Sequence, residues 1–287
     1  MTYLEICQGA MRDCHENPVT NTVLLTVVKT WVNRVYRNVW VKFYRKDPTF
    51  GRSKATLTTI ASYITGTVSV TNGSATITGT DTVWTETMEG RKFKLTANTE
   101  VYDVLTYTSP TELILSQAVT ADTDDELSYT IYQDELTLPE DCGEIVLISE
   151  PVNYMTLEKI GIRQLRERQT ACYTSVDSIS FDNPSYYSVL SDSNIIVYPA
   201  PSEVTLLTLD YTKKFVELSD DEEEPLIPTD FHEIILIGTR EKIHRYKDDP
   251  EAAVSDIAEY NGMLSDLLAV SSLKTDFLTI TPKVYRQ

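Results

Sequence analysis

Residues 66–84, GTVSVTNGSATITGTDTVW, decide how this chain folds. On both sides of the pair Asn72-Gly73, apolar residues alternate with threonine and serine. Alternation with a period of two is typical of a strand with one buried face, and Asn-Gly favours the type I′ turn of a two-residue hairpin. The stretch therefore predicts a β-hairpin whose threonines face outward, free for partners. The residues predicted to face inward are Val68, Val70, Ala75 and Ile77.

More strand-like pieces follow the hairpin at short intervals. They read KFKLT, EVYDVLTYT, TELILS and LSYTIYQ, and each is bounded by Gly, Asn, Pro, Asp or Ser. Short strands at such spacing are typical of a compact barrel or a small sandwich. We therefore predict a small all-β domain over residues 64–133.

Helical signals flank this β region on both sides. The first helix begins with a capping box at Thr2, and apolar residues recur every three or four positions over residues 21–43. Near the other end, Thr229 is expected to cap a helix over residues 230–247, and Asp249-Pro250 starts another helix directly after it. The two ends of the chain are therefore predicted to be helical.

The order of these signals predicts an insertion into a helical parent domain. The parent domain is expected to span residues 1–63 and 134–272 and to be of the helix-bundle type. Between residues 144 and 213, pieces such as GEIVLISEP and SNIIVYPAP predict a small accessory sheet packed on the helices. Residues 273–287 lose the helical pattern in KTDFLTITPKVYRQ and are predicted to form an extended C-terminal arm. The predicted fold class is α+β.

The charge of the chain limits its partners. Lys and Arg number 25 against 43 Asp and Glu, so the formal net charge is −18. Affinity for nucleic acid comes mainly from cations that neutralise phosphates, so this surface argues against a DNA-reading role but suits a wall past which DNA slides. The chain shows no apolar run of membrane-spanning length and no signal-peptide pattern at its start. We therefore expect no membrane association and a cytoplasmic product.

Candidate catalytic and metal-binding residues are few. Cys7 and Cys14 would share a helix face beside His15, which allows either a soft-metal site or buried thiols, and buried thiols are the commoner use of free cysteine. His232 begins HEIILI, which lacks the second histidine of the zinc-protease motif HExxH. The ending GKS or GKT of a phosphate-binding P-loop is also absent. We therefore predict that the chain is not an enzyme and has no cofactor or metal.

One acidic stretch, LSDDEEEPLIPTD, precedes the helix at 230–247. A run of like charges favours a solvated loop over a calcium site, because the turn-making glycine of a calcium loop is missing. We call residues 220–224 the acidic loop. Its members are Asp220, Asp221, Glu222, Glu223 and Glu224.

Taken in order, the segments resemble the head-to-tail connector, or adaptor, proteins of tailed bacteriophages. The segments that carry the resemblance are MTYLEICQGAMRD, TWVNRVY, the hairpin at 66–84, YTIYQDELTLPED, IIVYPAPSEVTLLTLDY and IPTDFHEIILIGTREKIHRYKDD. Their strength lies in their order, since no single motif is diagnostic. The resemblance covers nearly the whole chain, although the smallest members of that family lack a β domain.

The resemblance implies a ring of about twelve copies beneath the portal, with the helical domain forming the ring. It implies a virion location at the head–tail interface, reached from the host cytoplasm during assembly, and a channel through which DNA passes without specific binding. The C-terminal arm would bind the portal protein, and the β domain would meet tail, nozzle or fibre proteins or a neighbouring copy. The acidic loop would face the lumen or solvent. The residues implied for portal binding are Lys274, Phe277, Ile280, Lys283, Tyr285 and Arg286.

Two other functions stay open at the level of sequence. A tail or fibre-attachment protein is one, because threonine-rich β modules with Asn-Gly hairpins are common in that class. A cell-wall hydrolase carried on the virion is the other, and it would need a carboxylate pair with one member in an apolar pocket.

Overall fold

The computed structural model describes residues 1–47, 50–96, 98–152, 154–173 and 181–276. Five α-helices lie in this part of the chain: α1 (Tyr3–Asp13), α2 (Thr22–Lys46), α3 (Ile162–Tyr173), α4 (His232–Tyr246) and α5 (Pro250–Asp276). Together with three β-sheets they confirm the α+β class. None of the described helices is long and apolar enough to cross a membrane.

Fifteen strands build the sheets of the described residues. The first eight are β1 (Arg52–Thr58), β2 (Thr67–Val70), β3 (Thr76–Thr80), β4 (Lys92–Leu95), β5 (Val101–Ser109), β6 (Glu112–Leu115), β7 (Asp124–Leu127) and β8 (Tyr129–Tyr132). The others are β9 (Glu135–Thr137), β10 (Cys142–Glu150), β11 (Met155–Thr156), β12 (Glu158–Lys159), β13 (Tyr186–Val189), β14 (Asn194–Tyr198) and β15 (Leu206–Lys213). The strand orders are β7-β2-β3-β6-β5-β4-β8, β1-β15-β10-β11 and β12-β13-β14-β9.

The chain divides into two compact units. One unit, which we call the helical unit, contains Met1–Arg52 and Thr212–Gln287, and the other contains Ser53–Tyr211. The second unit is larger than the β domain predicted over residues 64–133, because it also contains both four-stranded sheets and α3. Whether residues 64–133 are an insertion that folds by itself stays a prediction.

Helices α1, α2, α4 and α5 supply the core of the helical unit. Helix α1 begins with the predicted capping box, in which Thr2 Oγ1 accepts from the Glu5 nitrogen and the Glu5 carboxylate accepts from the Thr2 nitrogen. Asn21 caps α2 by accepting from the Leu24 nitrogen at 3.2 Å. The apolar stripes of the helices then meet in one cluster whose fully buried members include Ile6, Val28, Ile234 and Leu267.

The seven-stranded sheet is curled into a half-barrel. Its edge strands, β7 and β8, are separated along the chain by Ser128 alone, so the sheet must curl to bring both of its edges to one point. Side chains from its inner face form one core that includes Val68, Ile77, Trp84 and Phe93. Of the two predicted architectures, barrel and sandwich, this curled sheet is closer to the barrel.

The hairpin at 66–84 forms, but its predicted turn is wrong. Strands β2 and β3 pair antiparallel with Val68 opposite Gly79, and the Ser74 nitrogen donates to the Thr71 oxygen at 2.9 Å. Within that turn only Gly73 has a positive φ, at +79°, whereas a type I′ turn needs two such residues. The side chain of Asn72 instead donates to the carbonyl oxygens of Thr120 and Ala121, which widens the loop.

The predicted accessory sheet is two four-stranded sheets rather than one. Strands β14 and β15 follow each other along the chain but lie in different sheets, and the segment between them carries Pro199 and Pro201. The two sheets share a hydrophobic core to which β14 contributes Ile195 and β15 contributes Leu209.

Two predicted helix ends differ in the structure. Thr229 lies in a short 3-10 turn, and α4 begins at His232 without a side-chain cap, because Phe231 occupies the N-cap position. Helix α5 continues to Asp276, so the extended arm predicted from residue 273 begins too early, and Lys274 belongs to the last turn of α5. The cap predicted for α5 is correct, since Asp249 Oδ1 accepts from the Ala252 nitrogen at 3.1 Å.

Candidate interaction surfaces

The acidic loop is anchored to the start of α1 by its backbone. The Tyr3 nitrogen donates to the Glu223 oxygen at 2.7 Å, and the Leu4 nitrogen donates to the Asp221 oxygen at 3.1 Å. These are N–H groups that the first turn of a helix leaves without partners. The loop also brings carboxylates to the positive end of the α1 dipole, where negative charge is stabilised.

Side-chain contacts fix the shape of the acidic loop. Glu223 Oε2 accepts from the backbone nitrogens of Ser219 at 2.6 Å and Asp220 at 3.1 Å, and Asp221 pairs with Lys29 Nζ at 2.5 Å. Among the described residues, no cluster of His, Cys, Asp or Glu can hold a metal ion. The loop is therefore ordered, yet four of its residues stay solvent-exposed. They are Asp220, Glu222, Glu223 and Glu224.

A second surface, which we call the basic groove, lies between α2, α4 and α5. It is a cavity of about 300 Å³. Its cations are Arg34, Lys242 and Arg245, and its apolar walls come from Val35, Ile257 and Tyr260. Within a chain of net charge −18 this is a local concentration of positive charge.

Close packing of two helices creates the floor of the basic groove. Gly238 of α4 lies where a Cβ atom would stand 2.6 Å from Val35 Cγ1 and 3.1 Å from Tyr260 Cδ2. Any side chain at this position would push α4 away from α2 and α5, so glycine is what allows the three helices to meet. At Gly262 of α5, by contrast, a Cβ atom would have nothing within 4 Å.

The polar groups of the basic groove are incompletely paired. Lys242 and Arg245 both contact Glu241, whereas Arg34 forms no ion pair within the part of the chain that the structure describes. The Tyr260 hydroxyl is buried and has no hydrogen-bond partner, and burial raises the pKa of Tyr260. A buried hydroxyl without a partner is costly, so an added acceptor here would be stabilising.

The wall between α4 and α5 is held by an ionic cluster around Arg240. Its guanidinium contacts Asp256 at 2.7 Å and Glu259 at 2.5 Å, and these carboxylates raise the pKa of Arg240. Cys14 Sγ lies 3.4 Å from Nε2 of His244, beside this cluster. Burial raises the pKa of the Cys14 thiol to about 12, so it stays protonated and is a poor nucleophile.

The histidines and cysteines singled out in the sequence have structural surroundings. His232 is fully buried, with Nε2 2.9 Å from the Ile227 oxygen and Nδ1 3.0 Å from the Met1 nitrogen. Cys7 is fully buried as well, and burial raises its thiol pKa to about 12, while His15 is exposed. These contacts favour buried thiols over a metal site at Cys7 and Cys14.

The predicted portal-binding residues are only partly described. Lys274 lies on helix α5. Phe277, Ile280, Lys283, Tyr285 and Arg286 lie outside the described residues. The structure does describe the predicted outer face of the hairpin, where Thr76, Thr78 and Thr80 are exposed on β3.

Sequence reasoning found the acidic loop but missed the basic groove. Its cations come from α2 and from α4, which are almost two hundred residues apart in the chain, so no local charge run marks them. A partial signal was present on α2 itself, where Arg34, Asn38 and Lys42 recur at a spacing of four on one helix face.

Comparison with known protein families gives one match. A family model described as SU10 adaptor protein matches residues 100–277, which is more than half of the chain and extends from β5 to α5. A comparison with curated proteins finds no significant match.

Proposed function

The chain belongs to the SU10 adaptor protein family and is thus a bacteriophage structural adaptor of the virion, and we propose that it forms a ring beneath the portal. In this role it joins the head to the tail and lines the channel through which DNA leaves. The family match is the observation that carries the proposal. The net charge of −18 supports it, because an acidic lumen repels DNA phosphates and keeps the channel free of binding.

The helical unit is the ring-forming part in this proposal, carrying the β sheets as an insertion into a helical parent. Its exposed α2 residues Val23 and Val27 are apolar and spaced by one turn, as at a helix interface. Copies that bind each other through two different surfaces form a closed ring when the rotation from one copy to the next adds up to a full turn.

Portal binding is assigned to the C-terminal arm. Lys274 sits at the end of α5. In the sequence beyond it, Phe277, Thr279 and Thr281 alternate with Leu278 and Ile280. An alternating segment can add to an exposed sheet edge, where main-chain hydrogen bonds give affinity. The cations Lys283 and Arg286 add local positive charge to this arm of an acidic protein.

Electron microscopy of the purified chain with the portal protein of the same phage tests the ring. We expect ring-shaped particles seated on the portal. Monomers that persist at high concentration and never bind the portal would contradict the proposal.

Truncation after Asp276 tests the arm and leaves α5 complete. We expect portal binding to be lost while the helix content, measured by circular dichroism, stays the same. A full-length double variant, Lys283→Glu with Arg286→Glu, keeps the arm and reverses its charge, so it separates the effect of charge from that of strand addition. If the truncated chain and the double variant both bind the portal as the unaltered chain does, the assignment is contradicted.

An attachment role for tail, nozzle or fibre proteins is a second candidate, favoured by the exposed threonines of β3. The triple variant Thr76→Lys, Thr78→Lys, Thr80→Lys changes that face without touching the buried Ile77 between them. A connector keeps its portal binding in this variant, whereas an attachment protein loses its main partner.

The chain is proposed to lack catalytic activity, and a cleared band in peptidoglycan zymography would contradict that.

A further inference from the structure

We propose that the basic groove of one copy receives the acidic loop of the next copy in the ring. This contact rests on the proposed ring function and names the two surfaces that make it. Both surfaces belong to the helical unit, and they carry opposite charge.

The basic groove has the chemistry of a carboxylate site. Arg34 presents a guanidinium that forms no ion pair among the described residues, and guanidinium binds a carboxylate through two parallel hydrogen bonds. Tyr260 lines the groove, and its buried hydroxyl has no hydrogen-bond partner in the part of the chain that the structure describes. Lys42 Nζ lies 5.9 Å from the centre of the same tyrosine ring. A cavity of about 300 Å³ accepts a few side chains and no folded element. A short exposed loop is therefore the form of occupant that fits.

The acidic loop has the matching properties. Glu222 and Glu224 are exposed. The backbone on either side of Glu222 is held, because the oxygens of Asp221 and Glu223 accept hydrogen bonds from the start of α1. Because the loop is already ordered, it loses little conformational entropy when it binds.

The acidic loop of each copy is held against α2 of the same copy, next to the basic groove. The acidic loop and the residues just before it contact Lys29, Asn33 and Arg37, which share one face of α2. The basic groove opens on the face of Arg34, and consecutive residues of a helix are turned by about 100° from each other. Arg34 borders both surfaces. Because the acidic loop is tied to α1 and α2 of its own copy, the proposed contact joins the groove of one copy to the loop of the next, head to tail.

Charge makes such a contact necessary as well as available. Copies that each carry −18 repel one another unless the contact brings cations to carboxylates. The basic groove supplies three such cations, from Arg34, Lys242 and Arg245.

Full-length variants with reversed side-chain charges test the contact. Sedimentation equilibrium at low salt should show self-association of the unaltered chain that weakens as salt is added. Arg34→Glu and Glu222→Lys should each weaken it by at least about tenfold, and an equal mixture of the two variants should recover a mixed complex. Arg163→Glu, an exposed change on α3 in the other unit, is the matched control and should have no effect.

Tyr260→Phe supplies a second variant that changes no charge. Its hydroxyl has no partner in the single chain, so folding stability should be equal or higher, while association should fall about fivefold. The proposal is overturned if the unaltered chain shows no salt-dependent association. It is also overturned if the charge-reversal variants weaken association no more than Arg163→Glu does, or if the mixture of Arg34→Glu and Glu222→Lys fails to associate. If all of these variants still form rings on the portal, the proposed contact between copies is wrong and the proposed ring is retained.

Discussion

The helical unit and the curled sheet both bury an apolar core, and they differ in the contacts that accompany it. In the helical unit, α4 and α5 meet through ions, since Arg240 bridges to Asp256 and Glu259. In the curled sheet, the centre is aromatic: the ring of Tyr129 stacks on Phe93 at 5.6 Å and meets Trp84 edge to face at 5.9 Å. Ion pairs depend on salt and pH, whereas aromatic packing depends on fit. The α4–α5 contact should therefore respond to salt and pH, whereas the centre of the curled sheet should respond to changes of side-chain volume.

Trp84→Ala is expected to have the largest effect, and it acts on the curled sheet. The Trp84 ring is buried, its Nε1 donates to the Tyr129 hydroxyl at 2.9 Å, and it packs beside Gly79, where a Cβ would lie 2.8 Å from the ring. Removing a buried tryptophan costs about 3–5 kcal/mol. We expect hydrogen exchange to show loss of protection across the curled sheet.

The neighbouring change Val83→Ala controls for this prediction, because Val83 is 66% exposed. The remaining tryptophans, Trp31 and Trp40, both lie in the helical unit and report its unfolding by fluorescence. An equal fall of the helical midpoint would mean that the two units are one cooperative structure.

Gly238→Ala and Gly262→Ala apply one chemical change to two helices of the same unit. At Gly238 the new methyl meets Val35 and Tyr260, and overpacking of this kind costs about 1–3 kcal/mol. At Gly262 the methyl meets nothing, and alanine gains up to roughly 1 kcal/mol of helix propensity. Because both variants share the propensity gain, their difference in unfolding free energy isolates the strain at the crossing.

Urea unfolding followed by circular dichroism measures both glycine variants. We expect Gly262→Ala to be more stable than Gly238→Ala by about 1–3 kcal/mol. Equal stability would show that α4 and α2 can separate freely, and the helical unit would then be less tightly packed than the curled sheet.

The sequence predicted those elements whose signals are local. The capping box at Thr2 and the alternation around Val68 and Ile77 lie within a few residues, and both features form as predicted. The turn at Asn72 was wrong because its side chain bonds to Thr120 and Ala121, which are distant in the chain. The basic groove was missed for the same reason, since Arg34 and Lys242 become neighbours only after α2 and α4 have packed.

The smallest effects are expected at two glutamates, one in each unit. Hydrogen bonds from Lys247 and Asn21 lower the pKa of Glu16, and those from Thr120 and Tyr102 lower the pKa of Glu100, relative to the ordinary 4.5. A carboxyl whose pKa is depressed by folding stabilises the fold above its ordinary pKa. That stability is lost as the pH falls through the lower, folded pKa.

Glu16→Gln and Glu100→Gln should therefore each lower the urea midpoint at pH 7 and converge with the unaltered chain in strong acid. The two sites should differ in salt: Glu16 pairs with the Lys247 ammonium at 3.1 Å, whereas Glu100 accepts from two neutral hydroxyls. Adding 1 M salt shortens screening to about 3 Å, so it should reduce the effect of Glu16→Gln more than that of Glu100→Gln. If salt changes the effect of both substitutions equally, then the helical unit does not depend on ion pairs more than the curled sheet does.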